Sequence, residues 1–159
     1  MLEDVQDKTK PMSYTRNIYH IIFGTKNREC TINAEHEQEL YSYMAGIIKG
    51  KGGFVHSING MPDHVHIVCD IPPTIAISDF MKSLKQSSSK WAKESGKFPH
   101  WNGWAEGYAE FTCSYYNLQR VIAYVNNQKQ HHTKVTFGNE LRGIFEDLKI
   151  EYDERFLPR

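Results

Sequence analysis

Residues 53–73 read GFVHSINGMPDHVHIVCDIPP, and this stretch decides the fold class. It contains two runs rich in apolar residues, 53–58 and 64–71, which is the pattern of two neighbouring β-strands. The segment between them carries four residues that favour turns, namely Asn59, Gly60, Pro62 and Asp63. The second run ends at Pro72 and Pro73, because proline has no N–H to donate within a sheet. The stretch therefore predicts a β-hairpin.

Alternating strand and helix patterns surround this hairpin on both sides. Two more strands are predicted, at residues 16–25 and 108–114. Apolar stripes at helical spacing predict four helices: from Asn33 to about Lys49, from Ser78 to about Gly96, over 115–131 and over 139–149. The order β-α-β-β-α-β-α, continued by the last helix, is typical of the split βαβ layout. The predicted fold is α+β and ferredoxin-like, with a mostly antiparallel sheet packed with helices.

Length and composition fit a soluble globular chain with one compact domain. The 159 residues include three cysteines without CxxC spacing, which is typical of proteins in a reducing cytoplasm. Neither a signal peptide nor a run of about 18 apolar residues is present, so neither secretion nor a membrane partner is expected. Residues 1–11 are predicted to be a flexible N-terminal arm, and residues 12–159 the single domain.

Charge argues mildly against a protein that coats long duplexes. Nineteen Lys and Arg residues balance nineteen Asp and Glu residues, whereas non-specific affinity for DNA comes largely from neutralising phosphates. Residues 82–97 nevertheless contain five lysines. Such a run is either a solvated helix face or a surface for nucleic-acid contact, and the sequence leaves both interpretations open.

The predicted third strand carries a His-x-His pair, His64 and His66. Because side chains alternate between the two faces of a strand, both imidazoles point to the same side. Neutral imidazole is a common ligand for divalent transition metals, and a strand holds two such ligands rigidly side by side. A pair of ordinary histidines without a metal is the alternative.

The predicted helix over 115–131 carries Tyr124 and Gln128 one turn apart, on one flank of its apolar stripe. Alone, such a pair is typical of a structural role, in which the tyrosine packs at the edge of the core and the glutamine is solvated. A phenol is a weak nucleophile at neutral pH, so phosphoryl transfer through a tyrosine needs help from a nearby cation. Gln128 can supply a metal ligand through its amide oxygen. Together with the histidine pair, this helix favours a tyrosine nucleophile beside a metal.

With these motifs the sequence resembles a known family, the single-tyrosine HUH (His-hydrophobe-His) transposases of the TnpA type, including relatives associated with repetitive extragenic palindromes. The resemblance covers about residues 13–157. It depends on MPDHVH at 61–66, on Gly107 with Tyr108, on Tyr124 with Gln128, and on IEYDER at 150–155.

The resemblance implies a DNA transposase with a covalent 5′-phosphotyrosine intermediate. Tyr124 would be the nucleophile, and His64, His66 and Gln128 would hold Mg²⁺ or Mn²⁺. The family acts on single-stranded DNA, recognises DNA hairpins and works as a homodimer. No nucleotide cofactor is expected, because the phosphotyrosine link conserves the bond energy. Residues 12–159 would then be one catalytic HUH domain.

Basic side chains near these motifs are the predicted DNA contacts: Lys82, Lys85, Lys90, Lys93, Lys129 and His131. Trp101 and Trp104 are candidates for stacking on unpaired bases, although core packing is expected for at least one of them.

Three other functions are weaker fits to the sequence. A histidine-triad hydrolase needs a third alternating histidine, and Val68 occupies that position. A structural zinc site needs two more ligands, and no cysteine or third histidine in the sequence is obviously placed to supply them. A non-catalytic module that only binds nucleic-acid hairpins remains the main alternative from a different class.

Overall fold

A computed structural model of the protein describes residues 13–158, so the predicted arm at 1–11 lies outside the described residues. Four strands form one antiparallel sheet in the order β2-β3-β1-β4. Their bounds are Ile18–Gly24 (β1), Phe54–Met61 (β2), His64–Asp70 (β3) and Ala109–Cys113 (β4). This order is that of the split βαβ layout, so the predicted α+β fold is confirmed.

Five α-helices pack around this sheet. They are Glu37–Gly50 (α1), Ile77–Ser95 (α2), Leu118–Asn126 (α3), Gln128–His131 (α4) and Phe137–Asp147 (α5). Short 3-10 turns lie at Lys26–Arg28, Tyr115–Asn117 and Glu154–Phe156. Among the helices of residues 13–158, none is long and apolar enough to cross a membrane.

Alternation of side chains along the central strands divides the interior into two layers. Ile21, Val65 and Ile67 face one side, where they join the largest hydrophobic core with residues of α1 and α2. Ile18 and Val68 face the other side and pack against α3. Because both faces of the sheet are covered, β3 is buried at six of its seven positions, and these include the polar residues His64 and His66.

The β2–β3 hairpin is tighter than the sequence predicted. Strand β2 continues through Asn59 and Gly60 to Met61, which pairs with His64 across a turn of only two residues. A Cβ atom at position 60 would collide with the carbonyl oxygen of His64, so this part of the strand requires glycine. The prediction that Asn59 and Gly60 lie in the turn was wrong, because their turn preference is overridden by strand pairing.

The helix predicted over 115–131 is interrupted at Asn127 and forms α3 and α4. The amide of Asn59 donates to the carbonyl oxygens of Val125 and Asn126, at 3.0 and 3.2 Å. These carbonyls are thereby bound by β2 at the point where α3 ends. The single-helix prediction was wrong because this contact from a distant strand has no signature within the helix sequence.

Three predicted helix starts also differ from the structure. Asn33 does not cap α1 directly. It accepts the backbone N–H of His36 at 2.9 Å in the turn that precedes Glu37. Helix α2 begins at Ile77, one residue before the predicted cap Ser78. Helix α5 begins at Phe137, two residues before the predicted start at residue 139. These differences are small, and they leave the predicted apolar stripes intact.

Candidate metal and tyrosine site

His64 and His66 lie side by side on β3, as the alternation predicts. Both side chains are fully buried, and their ring centroids are 5.2 Å apart. They face the layer formed by α3, α4 and α5. There the ring of Phe137 stacks on that of His64, with ring centroids 3.9 Å apart. Burial on a central strand holds the two imidazoles rigidly and shields them from solvent.

Each of these histidines is oriented by a hydrogen bond at Nδ1. The Nδ1 of His64 lies 2.7 Å from Oδ1 of Asp63, and the Nδ1 of His66 lies 2.8 Å from Nε2 of His20. Both Nε2 atoms therefore point into the gap between β3 and the helices. Partners of this kind fix the ring orientation of metal-ligating histidines.

A carboxylate from α5, Glu140, occupies the centre of this gap. Its Oε1 lies 2.9 Å from Nε2 of His66 and 3.4 Å from Nε2 of His64. A third histidine, His132, places its Nε2 at 3.1 Å from the same oxygen. One ligand atom from each of these four residues lies within 4.8 Å of the others.

The cluster could therefore hold a divalent metal, since imidazole nitrogens and a carboxylate oxygen are suitable donors. The expectation that no third histidine is placed to join His64 and His66 was wrong. His132 follows α4 and Glu140 lies in α5, so the two residues approach β3 only through tertiary packing.

Tyr124 lies on the other side of Glu140. Its hydroxyl donates a hydrogen bond to Oε2 of Glu140, and its ring centroid is 5.9 Å from that of His66. Gln128 is fully buried beside it and donates from Nε2 to the same oxygen at 3.0 Å. The structure thus brings together the four residues singled out for the metal and the nucleophile, His64, His66, Tyr124 and Gln128, around one carboxylate.

The electrostatics of the site follow from burial and from this carboxylate. Burial alone would raise the pKa of Glu140, but hydrogen bonds from His132, His64 and His66 outweigh it and hold the pKa well below its usual range. Burial lowers the pKa of His66 to about 4. Burial and the adjacent carboxylate raise the pKa of Tyr124 far above its usual value. The site therefore contains a carboxylate anion and a neutral phenol.

The connection between α3 and α4 is anchored from β2. Ser57 donates to the side-chain oxygen of Asn126 at 2.6 Å, next to the backbone contacts made by Asn59. Lys129 donates to Glu37 at 2.8 Å and to the carbonyl oxygen of Gly60. These contacts hold the segment between Tyr124 and Gln128 against the hairpin.

Lys129 and His131, two of the six predicted DNA contacts, have partners within the protein. The ammonium of Lys129 is held by Glu37 and Gly60, as described above. His131 lies against Tyr124, with ring centroids 5.3 Å apart, and its Nε2 is 3.2 Å from Oε2 of Glu140. His131 is thus a neighbour of the candidate nucleophile.

The four predicted lysine contacts of α2 differ in their surroundings. Lys85 donates to the carbonyl oxygens of Ala105 and Gly107, at 2.6 and 2.7 Å. Lys82 is exposed. Lys90 and Lys93 are exposed on an open groove of about 990 Å³ that Lys26, at the end of β1, also lines.

Both tryptophans of the loop before β4 are packing residues. Trp101 and Trp104 are in contact, with ring centroids 4.8 Å apart, and both pack against the main core. Their indole N–H groups donate to Ser89 and Ser88 at 3.1 and 2.9 Å. The expectation of core packing therefore holds for both, and no base-stacking role is needed to explain either.

Sequence reasoning missed Glu140, His132 and His20. The signal for Glu140 was its place in α5, one turn before Ile144 and one residue before Leu141, where an acidic side chain interrupts a buried stripe. His20 lies in a strand that was predicted correctly, and a single histidine on a strand carries no signal of its own. His132 follows a helix end and has no periodic pattern.

Comparison with known proteins identifies relatives. The sequence profile of IS200-like transposases matches residues 13–128. The ISDra2 transposase TnpA of Deinococcus radiodurans is 30% identical over 115 residues, which are 69% of this chain and 82% of that protein. A transposase for insertion sequence element IS200 from Salmonella typhimurium is 29% identical over 115 residues, covering 69% of this chain and 75% of the relative.

Solved structures agree with these sequence relatives. A candidate transposase from D. radiodurans R1 has a TM-score of 0.57 at 30% identity, covering 75% of this chain and 96% of that one. A REP-associated tyrosine transposase bound to a REP hairpin has a TM-score of 0.57 at 14% identity, covering 79% of this chain and 74% of that one, and so shares the fold. Since the family profile matches well over half of the 159 residues, this chain belongs to the family of IS200-like transposases.

Proposed function

We propose that this transposase cuts and rejoins single-stranded DNA through a covalent 5′-phosphotyrosine at Tyr124, with residues 12–159 as one catalytic domain. One observation carries the proposal. The phenol of Tyr124 contacts one oxygen of Glu140, while the other oxygen of Glu140 faces three histidines. A nucleophile and a cation-binding cluster therefore meet at a single carboxylate.

The metal would be held by His64, His66 and Glu140. Gln128 or His132 would supply a further ligand. The amide oxygen of Gln128 lies 3.4 Å from Nε2 of His64, on the side of the cluster that faces Tyr124. Imidazole donors suit Mn²⁺ better than Mg²⁺, which prefers oxygen ligands. A bound divalent ion would polarise the phosphate oxygens of the scissile bond.

Glu140 is placed to accept the proton of the nucleophile. In the resting site the proton stays on the phenol, but the O–H becomes strongly acidic as the oxygen of Tyr124 forms its bond to phosphorus. Its proton then passes to Oε2 of Glu140, with which it already shares a hydrogen bond. The bond from phosphorus to the 3′ oxygen breaks, the proton on Glu140 passes through water to that oxygen, and the oxygen leaves as a 3′-hydroxyl. Attack of another 3′-hydroxyl on the phosphotyrosine reverses these steps and joins the strands without ATP.

Two surfaces near one end of the sheet support binding of a DNA strand. The groove beside Lys90 and Lys93 offers positive charge for phosphates. A separate cavity of about 610 Å³ is lined in part by Phe137, which stacks on His64, and by Tyr108. Its aromatic walls suit an unpaired base next to the cut phosphate. The hairpin-bound relative of the same fold makes a hairpin substrate the first to test.

The test is covalent capture. The protein is incubated with a hairpin-bearing oligonucleotide and Mn²⁺, and a denaturing gel is inspected for a protein-linked DNA fragment. We expect an adduct with the unchanged protein and none with Tyr124→Phe. Tyr116→Phe is the matched control, because Tyr116 is 96% exposed and lies just before the same helix. An undiminished adduct in Tyr124→Phe would exclude Tyr124 as the nucleophile.

The metal has its own test in the same assay. Excess chelator, His64→Ala and His66→Ala should each abolish cleavage while circular dichroism shows an intact fold. Cleavage that continues at the same rate in chelator would remove the metal from the mechanism. If hairpins bind tightly but no oligonucleotide is ever cut, the non-catalytic hairpin-binding module becomes the better interpretation.

We also propose that the active species is a homodimer. Strand exchange requires two cleavages, and each chain brings one Tyr124. Sedimentation at micromolar concentration should give twice the mass of one chain. A monomer that performs complete strand transfer would contradict this part of the proposal.

A further inference from the structure

His20 is a buried histidine that the proposed reaction has not yet used. It lies on β1, is 9% exposed, and its ring lies edge to edge with that of His66, with centroids 5.1 Å apart. Its Nε2 is 2.8 Å from Nδ1 of His66, which is hydrogen-bond distance. The other ring nitrogen of His66, Nε2, lies 2.9 Å from Oε1 of Glu140. His66 is thus held at both of its nitrogens.

A hydrogen bond between two neutral imidazoles contains one proton, so one ring donates and the other accepts. Metal binding by His66 through Nε2 requires a free electron pair on that atom, which places the proton on Nδ1. Only an acceptor opposite Nδ1 satisfies this arrangement, and the Nε2 of His20 is the atom found there. The tautomer of His20 therefore determines whether His66 presents a ligand or a donor to the cluster.

The neighbouring histidine provides a contrast. His64 faces a carboxylate oxygen of Asp63 at Nδ1, and an ionised carboxylate can only accept. That contact commits His64 to one tautomer. His20, in contrast, can donate as well as accept. In the metal-free protein, Nε2 of His66 can donate to Glu140 while Nδ1 accepts from His20.

We propose that His20 is a positioning residue of the metal site: when the ion binds, its Nε2 accepts a hydrogen bond from the Nδ1–H of His66, which leaves Nε2 of His66 free to act as a ligand. On binding of the ion, the Nε2 proton of His66 is released to solvent, the Nε2 proton of His20 passes to Nδ1 of His66, and Nδ1 of His20 takes up a proton from solvent. The hydrogen bond between the two rings thereby reverses its direction, and the pair gains no net proton. This inference rests on the proposed metal function and adds a residue of β1 to it.

The test measures Mn²⁺ affinity directly, by electron paramagnetic resonance or calorimetry on the full chain without DNA. His20→Phe keeps an aromatic ring but removes the acceptor, and should weaken Mn²⁺ binding about 10- to 100-fold, the usual effect of losing such a partner. His20→Gln retains an amide oxygen that can accept, and should recover most of the affinity. Tyr19→Phe is the control, because Tyr19 is next in the chain and packs on the opposite face of the sheet.

Spectroscopy provides a second readout that packing alone would not change. With diamagnetic Zn²⁺ bound, ¹⁵N NMR should show His66 protonated at Nδ1 and His20 unprotonated at Nε2. Equal Mn²⁺ affinity in His20→Phe and the unchanged protein would overturn the inference and leave the metal site standing. Equal losses in His20→Phe and His20→Gln would also overturn it, because the ring and not the acceptor would then matter. An unchanged protein that binds neither ion would refute the proposed metal function, and this inference with it.

Discussion

Acidification should destabilise the metal-free protein through His66, whose pKa burial lowers from 6.5 to about 4. At pH 5 the unfolded chain carries a proton on this histidine and the folded chain does not. The unfolded state therefore binds more protons, and the free energy of unfolding falls as the pH falls below 6.5. Between pH 7.5 and 5.0, a shift of this size corresponds to a loss of about 2 kcal/mol.

Other groups in the site titrate over the same range, so the contribution of His66 requires a comparison. His20, whose pKa burial lowers to about 3, acts in the same direction. His64 acts in the opposite direction: burial alone would lower its pKa, but Asp63 and Glu140 raise it, so His64 stabilises the fold at low pH and loses this contribution as the pH rises. Subtracting the pH dependence of His66→Gln from that of the unchanged protein gives the contribution of His66 together with its coupling to His20.

The assay is urea unfolding in chelator at pH 7.5 and 5.0, for the unchanged protein and for His66→Gln. The unchanged protein should lose about 2 kcal/mol more than the variant on acidification, which corresponds to a difference of about 4–8 °C in melting temperature. Tyr116→Phe should behave as the unchanged protein does. If His66→Gln loses as much stability as the unchanged protein, or more, the burial of a neutral His66 is not what limits stability in acid.

Three further changes test the packing and the DNA surface. Phe80→Ala should lower the free energy of unfolding by about 3–5 kcal/mol in urea titrations, because Phe80 is fully buried in the main core. Asn59→Ala should cost about 1–2 kcal/mol and slow cleavage, because it frees the carbonyl oxygen of Val125 at the end of α3. Lys90→Ala combined with Lys93→Ala should weaken binding of single-stranded DNA in fluorescence anisotropy. The slope of the logarithm of the binding constant against the logarithm of the salt concentration should become shallower by about 0.7 per lysine removed. An unchanged slope would exclude this groove as the binding surface.

Local patterns in the sequence were sufficient for the central elements. Strand β3 begins at His64, as predicted, because the turn before it and the two prolines after its run mark both ends. Helix α2 deviates from prediction by one residue at each end, since its apolar stripe is regular and Gly96 follows it in a left-handed conformation. In such segments the residues that determine the structure are neighbours in the chain.

The sequence was insufficient where the determining partner is distant in the chain. The end of α3 depends on Asn59, which lies 66 residues before Val125. Glu140 is 74 residues from His66, and no periodicity connects the two. The His-x-His pair could be predicted because both ligands lie on one strand, whereas the carboxylate between the histidines and the tyrosine became visible only in the packed structure.

The separation in sequence between β3 and α5 also determines when the contact between them can form during synthesis of the chain. The contact between His66 and Glu140 closes a loop of 74 residues, so it carries a large entropic cost and cannot form until α5 has been synthesised and docked. A nascent chain that has emerged as far as Tyr124 already contains the proposed nucleophile but lacks the carboxylate that contacts it. Assembly of the proposed site therefore requires α5 to be in place.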